Sequence, residues 1–305
     1  VSLGAAGRWA EGVLERLLGP PFQAGHRDQL AVLAYHGIAD ADHFRRQMDT
    51  LLEFRVPVDL DSVIAAIGGR RPLPRHAALV TFDDADRSHL ELALPVLRER
   101  GISAVAFVVA GLLGTEEPLW WEEVAHRVAA GATVQSLEGL SPTDVVRRLK
   151  RVEDDQRLGA LEDLRRQGGP SPPRHHLKPE DLPVLEAAGI AVGSHSLTHP
   201  CLPRCSTAKI EHEVAAAHRL LGDALGHPPA AFAYPNGDRD PRVDPVLRRH
   251  GYGAVFVFDH RFATPGRWDP MGVSRLRVDS TTPLVRFRSI IRGLHPWLHR
   301  RLGRR

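Results

Sequence analysis

The sequence predicts an α/β fold, a parallel barrel of seven strands with flanking helices and one helical insertion. Three observations point to it. Short apolar runs alternate with segments whose apolar residues fall at helical spacing, the pattern of repeated strand and helix units. Two groups of ionisable residues, Asp83 with Asp84 and His195 with His199, follow directly on such runs, as expected of side chains that meet at one end of parallel strands. The length of 305 residues, with 43% hydrophobic and 25% charged residues, suits one large barrel or two smaller domains with a substantial core.

Taken in order, residues 1–27 read as an N-terminal helix with Ala10, Val13, Leu14 and Leu17 on one face. This stretch lacks the basic start, continuous apolar core and small-residue cleavage site of a secretory signal, so a cytoplasmic location is expected. Residues 28–282 carry the barrel. Its first strand, 30–37, ends in His36 and Gly37; helices over 42–54 and 60–67 follow. A second strand runs into Asp83 and Asp84, and a helix over 90–100 stops at Gly101 before a strand over 103–110. The interval 119–176 breaks the rhythm and reads as a helical insertion. Trp120 and Trp121 open one helix there, and Ser141-Pro142-Thr143-Asp144 has the cap, proline and acid that start another. The Trp pair suits either stacking on a sugar ring or packing of the insertion. Strands near 190, 230–234, 252–258 and 273–278 complete the seven.

The net charge is +3 and the arginines are scattered among acids, so no nucleic-acid partner is expected. Residues 283–305 form a basic C-terminal helix and tail; seven arginines and no acid occur over 280–305, with Leu284, Phe287, Ile291 and Leu294 on one helical face. That helix either seals the barrel with its basic side in solvent or makes peripheral contact with a membrane or anionic polymer. The two cysteines, Cys201 and Cys205, exclude a disulfide-rich framework and leave their pairing open. No apolar run approaches the roughly 20 residues of a membrane-spanning helix.

Adjacent carboxylates cannot comfortably stay ionised without a compensating cation. An acid together with His195 and His199 makes a two-nitrogen, one-oxygen ligand set with open coordination positions. Taken singly, an acid pair after a strand is most often turn or capping chemistry. An iron oxygenase would use the same ligand types, and a non-catalytic carbohydrate-binding barrel would need none of them.

Thr81-Phe82-Asp83-Asp84-Ala85, His195-Ser196-Leu197-Thr198-His199 and, in part, Ala233-Tyr234-Pro235-Asn236 resemble the motifs of the polysaccharide deacetylases, the NodB homology domain of carbohydrate esterase family four. The resemblance covers most of the chain and implies that family's distorted (β/α)7 barrel. It implies hydrolysis of the N-acetyl group of an amino sugar on a polysaccharide, oligosaccharide, glycolipid or small glycoside, with release of acetate; another amide on the same scaffold is the related alternative. It further implies a divalent metal on Asp84, His195 and His199, most simply zinc, with cobalt, nickel or manganese as alternatives, and Asp83 as general base. The family's late acid histidine is not evident. His36 after the first strand takes its place, as in circularly permuted members resembling the poly-N-acetylglucosamine deacetylases. Tyr234, Pro235 and Asn236 are the implied oxyanion and substrate segment, through the Asn236 N–H. Two departures stand out. Ala233 occupies the position of the arginine that orients the base, a task that falls to Arg275 or, less directly, Arg277; and Ala85 replaces a glycine, which either narrows the pocket or alters the turn.

Overall fold

The structure, a computed structural model, describes residues 5–169, 171–264 and 269–302, with side chains from Gly12 to Arg301 within those ranges. Its strands are β1 (Ala31–Tyr35), β2 (Val56–Pro57), β3 (Ala77–Phe82), β4 (Ala104–Val108), β5 (Ile190–Ser194), β6 (Ala231–Ala233), β7 (Ala254–Phe256) and β8 (Leu276–Arg277). Its α-helices are α1 (Ala5–Gly25), α2 (Ala41–Phe54), α3 (Leu60–Ile67), α4 (Leu94–Arg100), α5 (Trp120–Ala129), α6 (Pro142–Leu149), α7 (Asp154–Arg166), α8 (Asp181–Ala187), α9 (Thr207–Leu225), α10 (Asp244–Arg249), α11 (Leu284–Arg292) and α12 (Leu294–Leu302).

Seven strands pair in parallel in the order β7-β6-β5-β4-β3-β1-β8, the distorted barrel that the sequence implies. The bridge of Phe256 to Val273 ties the β7 edge to the segment leading into β8, with Val255 N donating to Pro270 O, Val257 N to Val273 O and Val273 N to Val255 O. The extra strand β2 pairs with β3; two residues with a proline give no readable strand signal. β1, β3 and β4 are buried at every position, as in parallel sheets covered on both faces. Alternate residues divide between two cores. Val32, Leu79, Val105, Phe107 and Phe256 fill the barrel, while Leu33, Val80, Ala106 and Val192 pack outward against helices through Phe44, Leu97 and Phe287.

Register levels the strand ends. Tyr35 pairs with Phe82 and Val108 with Ser194, so His36, Asp83 and His195 each leave a strand at the same end of the barrel. The next amides keep the ladder for one more step: Asp83 N donates to Tyr35 O and His195 N to Val108 O.

The insertion contains α5, α6 and α7 around a small core of its own, with Trp120, Val124, Val145, Leu149, Leu161 and Leu164 buried together. Ser141 caps α6 by accepting from Asp144 N, with Pro142 in the first turn. At the C-terminus Phe287, Ile291 and Leu294 are buried, and α11 packs on α2 and α1; this helix seals the barrel.

The N-terminal helix forms but turns the other way from a core-facing amphipathic helix. Val13, Leu14 and Leu17 are 37%, 43% and 69% exposed, and the buried side carries Glu15, whose carboxylate accepts from the buried Arg292 at 2.6 Å. Ala10 and residues 1–4, 303–305 fall outside the described side chains.

His260 ties the C-terminal helices to β8. Its Nδ1 accepts from the Arg277 N–H at 2.9 Å, so the proton resides on Nε2, which faces His295 Nδ1 at 3.0 Å. Burial first, then the neighbouring His295, His299 and Arg277, pushes its pKa from 6.5 down to about 3. Below 6.5 the unfolded chain takes up a proton that the folded chain refuses until about 3, so this group favours the fold fully above 6.5 and progressively less as the pH falls. Unfolding free energy measured in urea should therefore fall between pH 6 and pH 4, with His260 contributing up to about 1.4 kcal/mol per pH unit. His260→Gln should flatten that slope, and equal slopes in the two proteins would contradict the assignment.

Candidate active site

The loops that receive the strand ends are tightly wound. Asp84, Ala85, Ser196, His199 and Asn236 all have left-handed backbone, with φ of 74°, 56°, 67°, 55° and 58°, a conformation that non-glycine residues adopt at a cost. It turns neighbouring side chains into one cavity instead of onto opposite faces. Gly237 follows with φ of 76°, and a Cβ there would lie 2.2 Å from Phe258 Cβ, so only glycine fits.

Asp83 and Asp84 are 2% and 3% exposed yet have different partners. Asp83 is clamped by Arg275, with Nη1 to Oδ1 at 2.7 Å and Nη2 to Oδ2 at 2.9 Å, a bidentate pair of the strong kind. Arg275 is fully buried, sandwiched between Phe107 and Phe258, and also donates to the Val257 carbonyl. Burial raises the Asp83 pKa, but Arg275, His195 and the hydrogen bonds from Arg275 outweigh it and hold the carboxyl well below the usual carboxylate range. Asp84 has no such partner, and its buried Oδ1 accepts no hydrogen bond.

His195 donates from Nδ1 to the Ala233 carbonyl at 2.8 Å, which leaves the Nε2 lone pair aimed at the acids, 3.7 Å from Asp84 Oδ1. His199 Nε2 is 3.6 Å from the same oxygen. One donor atom from each of Asp84, His195 and His199 lies within 4.8 Å of the others, all buried, and no other such group occurs among the described residues. Burial first, then His195, pushes the His199 pKa well below 6.5, so its ring is held neutral, the form that ligates a cation. The orphaned Asp84 oxygen, the inward lone pair of His195 and the inward-facing His199 Nε2 fit a divalent ion.

His36 reaches the same cavity, with Nε2 4.0 Å from Asp84 Oδ2 and its side chain 48% exposed. The cavity, about 850 Å³, is lined by His36, Asp83, Asp84, His195, His199 and Asn236, and also by Trp121, Lys150, Arg174 and Arg277. The structure thus brings together the acids, the histidines and Asn236. It does not bring Tyr234, which is buried in a separate core with its hydroxyl donating to Asp244 at 2.7 Å, nor Pro235, which is buried beside it. Between the two arginines the geometry is unambiguous: Arg275 holds Asp83, while Arg277 lies over the Phe258 ring at 4.6 Å on the rim. Ala85 is buried in the outer core, so its methyl alters the turn without narrowing the cavity. Cys201 and Cys205 are free thiols.

Two residues, Glu213 and Lys150, escape the sequence reading, and the Trp pair proves to be a packing contact. Glu213, on α9 and fully buried, accepts from Leu197 N, Thr198 N and Thr198 Oγ1 at 3.0, 2.8 and 2.6 Å, and so ties down the histidine loop. A buried acid one face of a helix away, sixteen residues on, has no local signature. Trp121 packs its ring 4.4 Å from that of His199, and Trp120 Nε1 donates to the His199 carbonyl; the Trp pair is thus the contact by which the insertion grips the site. Lys150, at the end of α6, donates to Asn236 Oδ1 at 2.6 Å.

A family model described as polysaccharide deacetylase matches residues 70–255, well over half of the chain. The chain belongs to the polysaccharide deacetylase family. No curated protein matches it. Among solved structures, IcaB from Ammonifex degensii is similar at 23% identity and a TM-score of 0.61, covering 87% of this chain and 97% of that one. The Streptococcus pyogenes deacetylase PplD in complex with acetate is similar at 15% identity and a TM-score of 0.60, covering 85% and 96%. The BpsB deacetylase domain from Bordetella bronchiseptica follows at 16% and 0.54, covering 83% and 96%. These likenesses repeat the fold; the family match makes this deacetylase a hydrolase acting on the N-acetyl groups of carbohydrate.

Glu213→Ala would strip three donors of their acceptor and loosen the loop that presents His199. Affinity for zinc, measured by competition with a chromophoric chelator, should fall by about 10- to 100-fold; an unchanged affinity would show that the loop holds its shape without this acid.

Proposed function

We propose that this deacetylase hydrolyses the N-acetyl amide of an amino sugar with Asp83 as base and His36 as acid, beside a divalent ion, most simply zinc, held by Asp84, His195 and His199. The observation that carries the reading is the unequal environment of the two adjacent acids: Arg275 grips one from beneath and the imidazoles face the other. When bound, the ion supplies Lewis acidity to the amide carbonyl and lowers the pKa of water at the site.

The residues divide the remaining work. Asp83, kept ionised and oriented by Arg275, takes the proton of the attacking water. Asn236 lines the cavity and its N–H is the donor assigned to the developing oxyanion, while Lys150 steadies that residue through its side chain. An amide nitrogen leaves only as an amine. His36, on the solvent side of the cavity and in its protonated form, donates to it. Trp121 supplies an apolar wall, and the cavity is large enough for more than a single sugar ring, which supports an oligosaccharide or glycolipid acceptor. A non-catalytic binding barrel would have no need of a clamped acid next to an orphaned one.

Acetate release from chitooligosaccharides or another acetylated amino sugar tests the roles. Asp83→Asn should lower the rate by about 10²- to 10⁴-fold with substrate affinity kept. His36→Ala should likewise slow acetate release by about 10²- to 10⁴-fold, and an undiminished rate would remove it from the acid role. Full activity in the Asp83 variant would remove it from the base role.

A further inference from the structure

The helix α1 is packed inside out. Val13, Leu14, Leu17 and Leu18 form one stripe, exposed by 37%, 43%, 69% and 39%, whereas the face against α11 buries an ion pair, Glu15 with Arg292. Gly19 permits that choice: a Cβ there would lie 2.7 Å from Arg292 Cζ, so a larger residue would expel the guanidinium. A buried ion pair stabilises little compared with leucines in the same place. Turning four aliphatic side chains outward is therefore explained by something that covers them.

Charge and area select the cover. The sequence of α1 carries two acids, Glu11 and the buried Glu15, and two arginines, Arg8 and Arg16, of which Arg16 is exposed beside the stripe. At the other end Phe22 packs on Trp297, Arg301 lies over that ring, and Arg300 is exposed beside it. The stripe exposes on the order of 300 Å², well short of the roughly 800 Å² per partner of a stable protein interface. A shallow aliphatic stripe rimmed by arginine is what an interfacial helix presents to lipid.

We propose that α1 lays this stripe on an anionic lipid surface, with Arg16, Arg300 and Arg301 against the headgroups. The proposal does not depend on the chemistry of the barrel. It places α1 as the element whose apolar side chains enter the bilayer, with the exposed end of α12 alongside. Co-sedimentation of the full chain with phosphatidylcholine vesicles, with and without about one third phosphatidylglycerol, tests it. The wild type should pellet with the anionic vesicles, less so as salt is raised, and stay in solution with the neutral ones. A double variant, Leu14→Ser with Leu17→Ser, should bind at least about tenfold more weakly while releasing acetate at the wild-type rate, which shows that it is folded. The idea is overturned if the wild type ignores anionic vesicles, if the double variant binds as well as the wild type, or if sedimentation velocity shows a dimer that the double variant loses.

Discussion

Two neighbouring carboxylates buried at the end of one strand are the constraint on which the rest of this site depends. Like charges so close repel each other, and burial removes the water that would screen them. The chain resolves the conflict asymmetrically. Arg275, itself fully buried between two phenylalanine rings, neutralises Asp83, while Asp84 is left with an unpartnered oxygen facing two imidazole nitrogens. That oxygen is tolerable only next to a positive charge, which is why the same geometry that separates the acids also defines a cation site. Their difference in role follows from their difference in partner.

The scaffold delivers this arrangement through register. Parallel pairing levels β1 with β3 and β4 with β5, and left-handed residues immediately after those strands convert alternating directions into convergent ones. Around that rim the insertion acts as a brace as much as a wall. Trp120 and Trp121 hold His199 from its carbonyl and its ring, and Lys150 spans from α6 to Asn236. Glu213 secures the other side of the histidine loop from below.

Much of this was legible in the sequence because it is local. Apolar runs between turn signals located the strands of the main sheet, and motif residues adjacent to those runs had to emerge at one end of a parallel sheet. The cap at Ser141 and the sealing face of α11 were readable for the same reason. What could not be read depends on packing between distant segments. Tyr234 lies next to a motif proline, yet its ring is claimed by the core around Asp244. Glu213 reveals its part only when α9 is laid against the histidine loop. The stripe on α1 was visible as a periodicity, but periodicity does not say which face turns inward; Glu15 and Gly19 decide that by fitting Arg292. The choice between Arg275 and Arg277 likewise required the depth of β8 relative to β1.

The account stands on one cation gripped by Asp84, His195 and His199, with Asp83 held by Arg275 outside that ligand set. Calorimetric titration of zinc into chelator-treated protein measures this most directly. It should give one tight equivalent, lost in Asp84→Ala, His195→Ala and His199→Ala but retained in Asp83→Asn. Tight binding that survives loss of any one of the three ligands, or that disappears with Asp83, would contradict it.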